Sequence, residues 1–417
     1  ARRQRQMCIR DRGNATTNSK IRTYVYPLTV TVKDESGKPL TNMYVKVVDT
    51  STIGQLVNAA NKTGADGGAQ VVDLRISKYS SGVLSQVPGT SYYYYVYDPS
   101  GALVAVGRFE IQRGASVPST GWNVVATVRY ATEIPVKNSA TRGYILVKGV
   151  EFLNGTKRDV KIPFTVSGGV MALQGKVPVS VEYPVDIYVT HVTLGGQEVP
   201  VKGGQVLVFS GKTTDLLAGL DFAELGLTGI VTVQAVDSTG APRSDWTVQI
   251  LYGNITAAQG GGQVQAVLPR TDVLGQPYTI KVITNAITPD GKALVKTQTL
   301  ELKQKAYALQ IPVSTVKAVV QVVDGFGNVR NDWPVVVENI ATGMGQITTE
   351  LVDGERYVAR ATGLGFTNTT TFTAKGPQMV VRVKIPTGKL VAQVVDGFGK
   401  VRNEWPVNIT GIAAGQG

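Results

Sequence analysis

The chain has 417 residues, of which 17% are charged and 43% hydrophobic, with a formal net charge of +12. That length exceeds one hydrophobic core and suits three to five domains of about 100 residues; the ordinary apolar content excludes a disordered chain, and no apolar run reaches the roughly 20 residues of a membrane span. One cysteine, Cys8, and one histidine, His191, exclude a disulfide framework and a multi-His metal site.

The first segment, 1–21, is read as a non-native leader. Its opening string ARRQRQMCIRDR carries five Arg and one Asp and resembles the translation of a sequencing adapter, so it is set aside from fold reasoning. Cys8 leaves with it, and so do four of the twelve net positive charges. The remaining basic residues are scattered, whereas a nucleic-acid surface needs a basic stripe with stacking aromatics.

The first strand–turn–strand unit begins in 22–136, as PLTVTVKDESGKPLTNMYVKVV from Pro27. Leu28, Val30 and Val32 alternate before the turn, and Met43, Val45 and Val47 after it; that is period two, one face of a strand. Asp66-Gly67-Gly68 marks a further turn. The run Tyr92, Tyr93, Tyr94, Tyr95 and Tyr97 reads as a strand with Tyr92 and Tyr94 on one face and Tyr93, Tyr95 and Tyr97 on the other. One set must face outward, as a cross-strand ladder or a partner surface. The next segment, 137–228, fits the pattern least and is expected to be a divergent β-sandwich; its His191 sits in VDIYVTHVTL, an apparent strand.

The unit then returns three times. GIVTVQAVDSTGAPRSDWTVQIL opens 229–316, KAVVQVVDGFGNVRNDWPVVVE opens 317–388, and KLVAQVVDGFGKVRNEWPVNIT opens 389–417. The last two are offset by 72 residues. Aligned, the copies bring Asp34, Asp237, Asp324 and Asp396 to one position and Gly37, Gly240, Gly327 and Gly399 to another. Asp bonds to its own following backbone and Gly tolerates positive φ, so D-x-x-G is turn chemistry. Trp246, Trp333 and Trp405 start the second strand in phase with inward Val and Ile. Met43 replaces them in the first unit, so they are expected to be core anchors rather than sugar platforms. The fifth copy stops after its second strand, which predicts that Leu390, Trp405 and Val407 are uncovered. The sequence reads as cut at both ends.

These residues carry a resemblance. V-x-D-x-x-G, a short loop, V-x-V, a D-G turn and G-x-x-Y-x-V-x-A-x-G-[FY], clearest over Val323 to Phe366, look like carboxypeptidase-regulatory-like domains and the B-type repeats of bacterial collagen adhesins. The Val-, Thr- and Tyr-rich array also resembles large surface proteins of hyperthermophilic archaea. The resemblance implies tandem Ig-like β-sandwiches, used as spacers or stalks and not themselves catalytic.

Candidate chemistry is sparse. Asp324 with Asp332, and Asp396 with Glu404, admit a calcium reading beside that of an ordinary Asp-Gly turn. The recurrent acids stand once per repeat in turns, which suits structure better than a carboxylate-pair active site. Sequons occur at Asn14, Asn61, Asn154, Asn254, Asn368 and Asn408, with Asn408 expected to point outward. A Lys–Asn isopeptide bond would need a buried Lys, Asn and acid together. The leading expectation is therefore a non-catalytic stalk or lattice component outside the cell, without cofactor, nucleic-acid partner or membrane span, that associates with its own copies or other surface proteins. Ile311-Pro312-Val313 and Ile385-Pro386-Thr387 are expected to act as short stiff linkers. An adhesin or glycan-binding array, and the spacer of a larger secreted enzyme, are the alternatives.

Overall fold

The computed structural model describes residues 25–49, 55–56, 60–75, 77–80, 83–86, 90–111, 122–138, 141–410 and 413–416. The leader 1–21 and the sequon at Asn14 lie outside them. The fold is all-β: the longest helical stretch among the described residues is the six-residue turn Thr213–Ala218.

Three segments share one plan. In each, the first strand lies between two neighbours, antiparallel to a strand from mid-segment and parallel to the last; in the third case the sheet continues through Ile287↔Leu351 into the preceding segment's strands, seven in all. Val25–Asp34 lies between Gly68–Arg75 and Trp122–Val128. Thr228–Val236 lies between Gln263–Pro269 and Ala306–Pro312. Thr315–Val323 lies between Gln346–Val352 and Gln378–Lys384. A second sheet built on the strand after the turn covers each: Tyr44–Asp49, Thr247–Tyr252 and Pro334–Val337. Period two puts Leu28, Val30 and Val32 against Met43, Val45 and Val47 in one buried cluster, and Val320 and Val322 against Trp333, Val335 and Val337 in another. Each buried Leu or Val contributes about 1.5–3 kcal/mol.

Residues 130–221 depart from this plan. The expected divergent sandwich is one continuous sheet of eight strands, with Thr141–Glu151 between Lys157–Ser167 and Pro184–Leu194. Register shifts at Ala131/Glu133, Arg142/Gly143, Val147/Val150 and Ile187/Tyr188 interrupt its ladders. Such bulges bend a strand and raise its twist, which lets one sheet wrap its own apolar face. That core does not stop at the segment's end: Phe222, Leu227, Val231, Trp246 and Val313 belong to the same cluster as Ile134 and Ile145.

The linker expectation is corrected here. Ile311 and Pro312 end the strand Ala306–Pro312, and Ile311 and Val313 are buried; Ile385 is buried too. They are closing strands and their continuations, held by the sheet rather than by proline stiffness. The fifth copy also differs from its strand expectation. Residues 389–395 form no ladder, and only the bridge Val395↔Val401 and the hairpin Pro406–Ile409 with Ala413–Gln416 are present. A central first strand needs both neighbours, and 389–416 supplies neither. Leu390 is exposed and Val407 half-exposed accordingly.

The tryptophans follow the same logic. Trp246 is 1% exposed and Trp333 5%, while Trp405 is 44% exposed. Trp333 lies so close over Gly363 that a Cβ there would stand 2.4 Å from its ring. Truncating Trp246 to Ala is expected to lower the unfolding free energy by about 3–5 kcal/mol, whereas Trp405→Ala leaves it nearly unchanged. Denaturant melts of the two variants, read by circular dichroism, check the contrast.

Candidate functional site

One turn recurs through the molecule. Asp34, Asp237, Asp324 and Asp396 each accept, through Oδ1, the backbone N–H groups two and four residues on, at 2.9–3.1 Å. The glycine three residues on takes positive φ, 84° at Gly37 and 89° at Gly327, and donates its N–H to the Asp carbonyl. The alignment missed a further copy: Asp98-Pro-Ser-Gly101 closes in the same way, with Ser100 and Ala102 as donors. Its signal, Asp with Gly three residues on, lay just past the tyrosine run. Hydrogen bonds hold several of these carboxyls below the usual range, first that from the Thr239 hydroxyl at Asp237 and from the Ser36 hydroxyl at Asp34. At Asp396 the Lys400 amide comes first.

This geometry bears on the calcium reading. Oδ1 of Asp324 and of Asp396 is engaged by turn amides, and Oδ2 of Asp396 receives Arg402 at 2.7 Å. Asp332 faces Arg330 at 3.0 Å and Glu404 lies 3.7 Å from Arg402. Each acid is thus paired with a donor or cation, and in the fifth repeat Asp396 and Glu404 share one guanidinium, that of Arg402. Among the described residues no group of three or more His, Cys, Asp or Glu is placed to hold a metal.

The tyrosine strand Thr90–Tyr97 divides as its period requires, with one correction. Tyr92 is buried and stacks on Phe109 at 5.1 Å; Tyr94 lies inward over Gly107, where a Cβ would meet its ring at 2.1 Å. Tyr93 and Tyr95 are half-exposed. Tyr97, expected on the same face as Tyr93 and Tyr95, is 3% exposed. A register shift at Val96/Tyr97 precedes the Asp98 turn, and the neighbouring segment closes over it. Leu153 N–H donates to Gly101 O at 2.8 Å, Lys46 Nζ to Leu153 O at 2.7 Å, and Tyr183 OH to Leu103 O at 3.0 Å. Burial, then the Glu151 carboxylate, pushes the Tyr97 hydroxyl up to about 12. The outward patch therefore shrinks to Tyr93 and Tyr95, and Tyr97 is part of a junction.

The sequons differ in what their amides do. Asn254 and Asn408 are exposed. Asn154 closes its own turn, accepting Thr156 N–H at 3.1 Å. Asn368 donates to Lys384 O at 2.6 Å, and Asn61 donates to Gln70 O. No lysine is buried among the described residues. Lys148, held against the buried carboxylate of Asp186, forms an ion pair: the Asp186 hydrogen bond raises the ammonium, and the Lys148 hydrogen bond lowers the carboxyl. His191 places Nδ1 3.1 Å from Thr190 Oγ1 on the strand Pro184–Leu194.

A second recurring cluster escaped the sequence reading. Arg243, Arg330 and Arg402 stand three residues before the tryptophans and lay their guanidinium groups 4.4, 4.6 and 5.7 Å from the indole rings. Arg243 and Arg330 also grip Asp245 and Asp332 side-on, through Nε and Nη2. The signal, R-x-[DE]-W in three copies, was present. The third and fourth sandwiches meet at this cluster, beside a cleft of about 370 Å³ whose walls include Asp237, Arg243, Lys317 and Glu350.

No protein-family model matches this chain, and no curated protein matches it. Among solved structures the chain is similar to the Bacillus anthracis TIE protein, at 13% identity over 84% of this chain and 69% of that one, with a TM-score of 0.21. It is similar to the shaft pilin spaA of Lactobacillus rhamnosus GG, at 11% identity over 70% and 98%, TM-score 0.21. The third is BcpA, the major pilin subunit of Bacillus cereus, at 12% over 69% and 99%, TM-score 0.19.

The turns predict an acid limit. A carboxyl whose folded pKa is depressed stabilises fully above its unfolded value, about 3.9, and loses that contribution as pH falls through the folded value. The melting midpoint is expected to be flat from about pH 5 upward and to drop below about pH 4. Asp237→Ala, which leaves two amides without their acceptor, should cost about 1–2 kcal/mol at neutral pH. Asp237→Asn keeps the acceptor and should cost less, with a shallower acid drop; calorimetry across pH measures both.

Proposed function

We propose that the chain is a non-catalytic structural array, a stalk or lattice element that works outside the cell and associates with its own copies or other surface proteins. The observation that carries this reading is continuity. One apolar core runs from Ala131 to Val313 across two strand-rich segments, and the flanking segments attach through directed polar contacts rather than free linkers. Length and stiffness then follow from stacking units, as in other repeat proteins. The resemblance of the D-x-x-G units to carboxypeptidase-regulatory-like and adhesin repeats supports the same use. No helix among the described residues is long and apolar enough to cross a membrane.

A second reading, a glycan-binding adhesin, is favoured by the half-exposed Tyr93 and Tyr95, which stand beside Lys46, Arg108 and the exposed Val106. Two measurements separate the readings. Small-angle scattering of the 417-residue chain is expected to give a rod-like distance profile with no added ligand. A compact profile overturns the array. On a glycan panel the array predicts no saturable binding; binding that Tyr93→Ser with Tyr95→Ser abolishes would install the adhesin reading instead.

A further inference from the structure

The boundary between the third and fourth sandwiches is where the shared apolar core ends. The cluster that begins at Ala131 stops at Val313, and the fourth sandwich buries separate clusters of its own. What crosses the boundary is one backbone strand pairing, Ile287↔Leu351, together with polar and directional side-chain contacts. Arg243 Nη1 and Nη2 donate end-on to the two oxygens of Glu350 at 2.8 and 2.9 Å. Glu350 lies on the strand Gln346–Val352 of the fourth sandwich. The same guanidinium holds Asp245 side-on at 2.9 and 2.7 Å, and Asn285 Nδ2 donates to Asp245 at 2.8 Å. The buried Thr315 hydroxyl donates to Glu350. The guanidinium plane rests on Trp246, the most voluminous of the fully buried side chains.

We infer that Arg243 is a positioning strut: it ties the core tryptophan of the third sandwich to Glu350 of the fourth and fixes the angle between the two. Three features support this. First, the pair is sheltered, with side-chain exposure of 23% for Arg243 and 15% for Glu350, and a bidentate guanidinium–carboxylate contact constrains orientation as well as distance. Second, a further fastening lies in the opposite sheet. Tyr357 OH donates to Ile287 O at 2.8 Å and accepts Val352 N–H at 2.9 Å, and Asn339 Nδ2 donates to Pro289 O at 3.1 Å. Two attachments in different sheets resist bending where one would serve as a pivot. Third, the molecule contains its own comparison. Arg330 has the same indole stack and side-on aspartate, but among the described residues its ion pair is with Asp332 of its own unit only. The indole stack and the flanking acid set the rotamer, and the outer edge of the guanidinium is left to receive a carboxylate from the following sandwich. The inference holds whether the array is a stalk or an adhesin.

Electron-spin distance measurements on the full chain test it, with Cys8→Ser and labels at Lys296→Cys and Thr371→Cys, both exposed positions on neighbouring sandwiches. The parent is expected to give one narrow distance. Arg243→Ala and Glu350→Gln should each widen the distribution at least twofold, with Arg243→Lys, which keeps the charge and loses the fork, in between. Arg330→Ala removes an equivalent stack and aspartate pair within one sandwich and should leave the width unchanged. Melting curves of the variants confirm that both sandwiches remain folded, and Glu350→Gln, nearly isosteric, keeps the test valid where Arg243→Ala unfolds. Unchanged widths in Glu350→Gln, or equal broadening by Arg330→Ala, overturn the strut.

Discussion

Every complete sandwich of the repeating type is closed by its last strand lying parallel to its first. Thr315–Val323 pairs residue by residue with Gln378–Lys384, and Val25–Asp34 and Thr228–Val236 are closed in the same manner. The first strand is central, so its ladders and its inner apolar face depend on segments far along the chain, from Lys317↔Glu350 and Lys317↔Gln378 in one sandwich to Leu28↔Val71 and Leu28↔Trp122 in another. Local turn chemistry can place the strand but cannot complete it. The segment 389–410 repeats the fourth unit at 15 of 22 positions and forms the same Asp turn, yet leaves 389–395 without a ladder and Trp405 outside.

The boundaries between segments are built on three different balances. Between 130–221 and the third sandwich the joint is an extended core, and apolar burial stabilises without fixing direction closely. Around Tyr97 the joint is mixed, with a covered ring and several side chain–backbone bonds. Between the third and fourth sandwiches it is mostly polar, and geometry there is set by forked hydrogen bonds whose angles are narrow.

The same side-chain types do different work according to what lies across from them. Tyr92 and Tyr93 are neighbours in sequence; one stacks in a core and the other stands half in water. The tryptophans start equivalent strands, yet their burial follows whether opposing strands are present. In the repeated turns, by contrast, surroundings matter little. Asp237 and Asp396 make the same two amide contacts, one beside a buried tryptophan and one beside an exposed one, because every donor lies within four residues.

What is local or periodic was legible from the order of residues. Alternation of Val, Leu and Trp set the strands and their inward faces, and D-x-x-G set the turns. Three recurrences of the unit declared a β-rich array. The R-x-[DE]-W signature was equally present but went unread, because a stacked arginine has no meaning until the face it covers is known. Features that depend on partners distant in the chain emerged only in the folded molecule. It made residues 130–221 one bent sheet, because register shifts are not encoded in hydrophobic period. It covered Tyr97 with a segment about 50 residues away. It gave Arg243 a carboxylate 107 positions distant, since two surfaces from separate sandwiches meet only after both have folded.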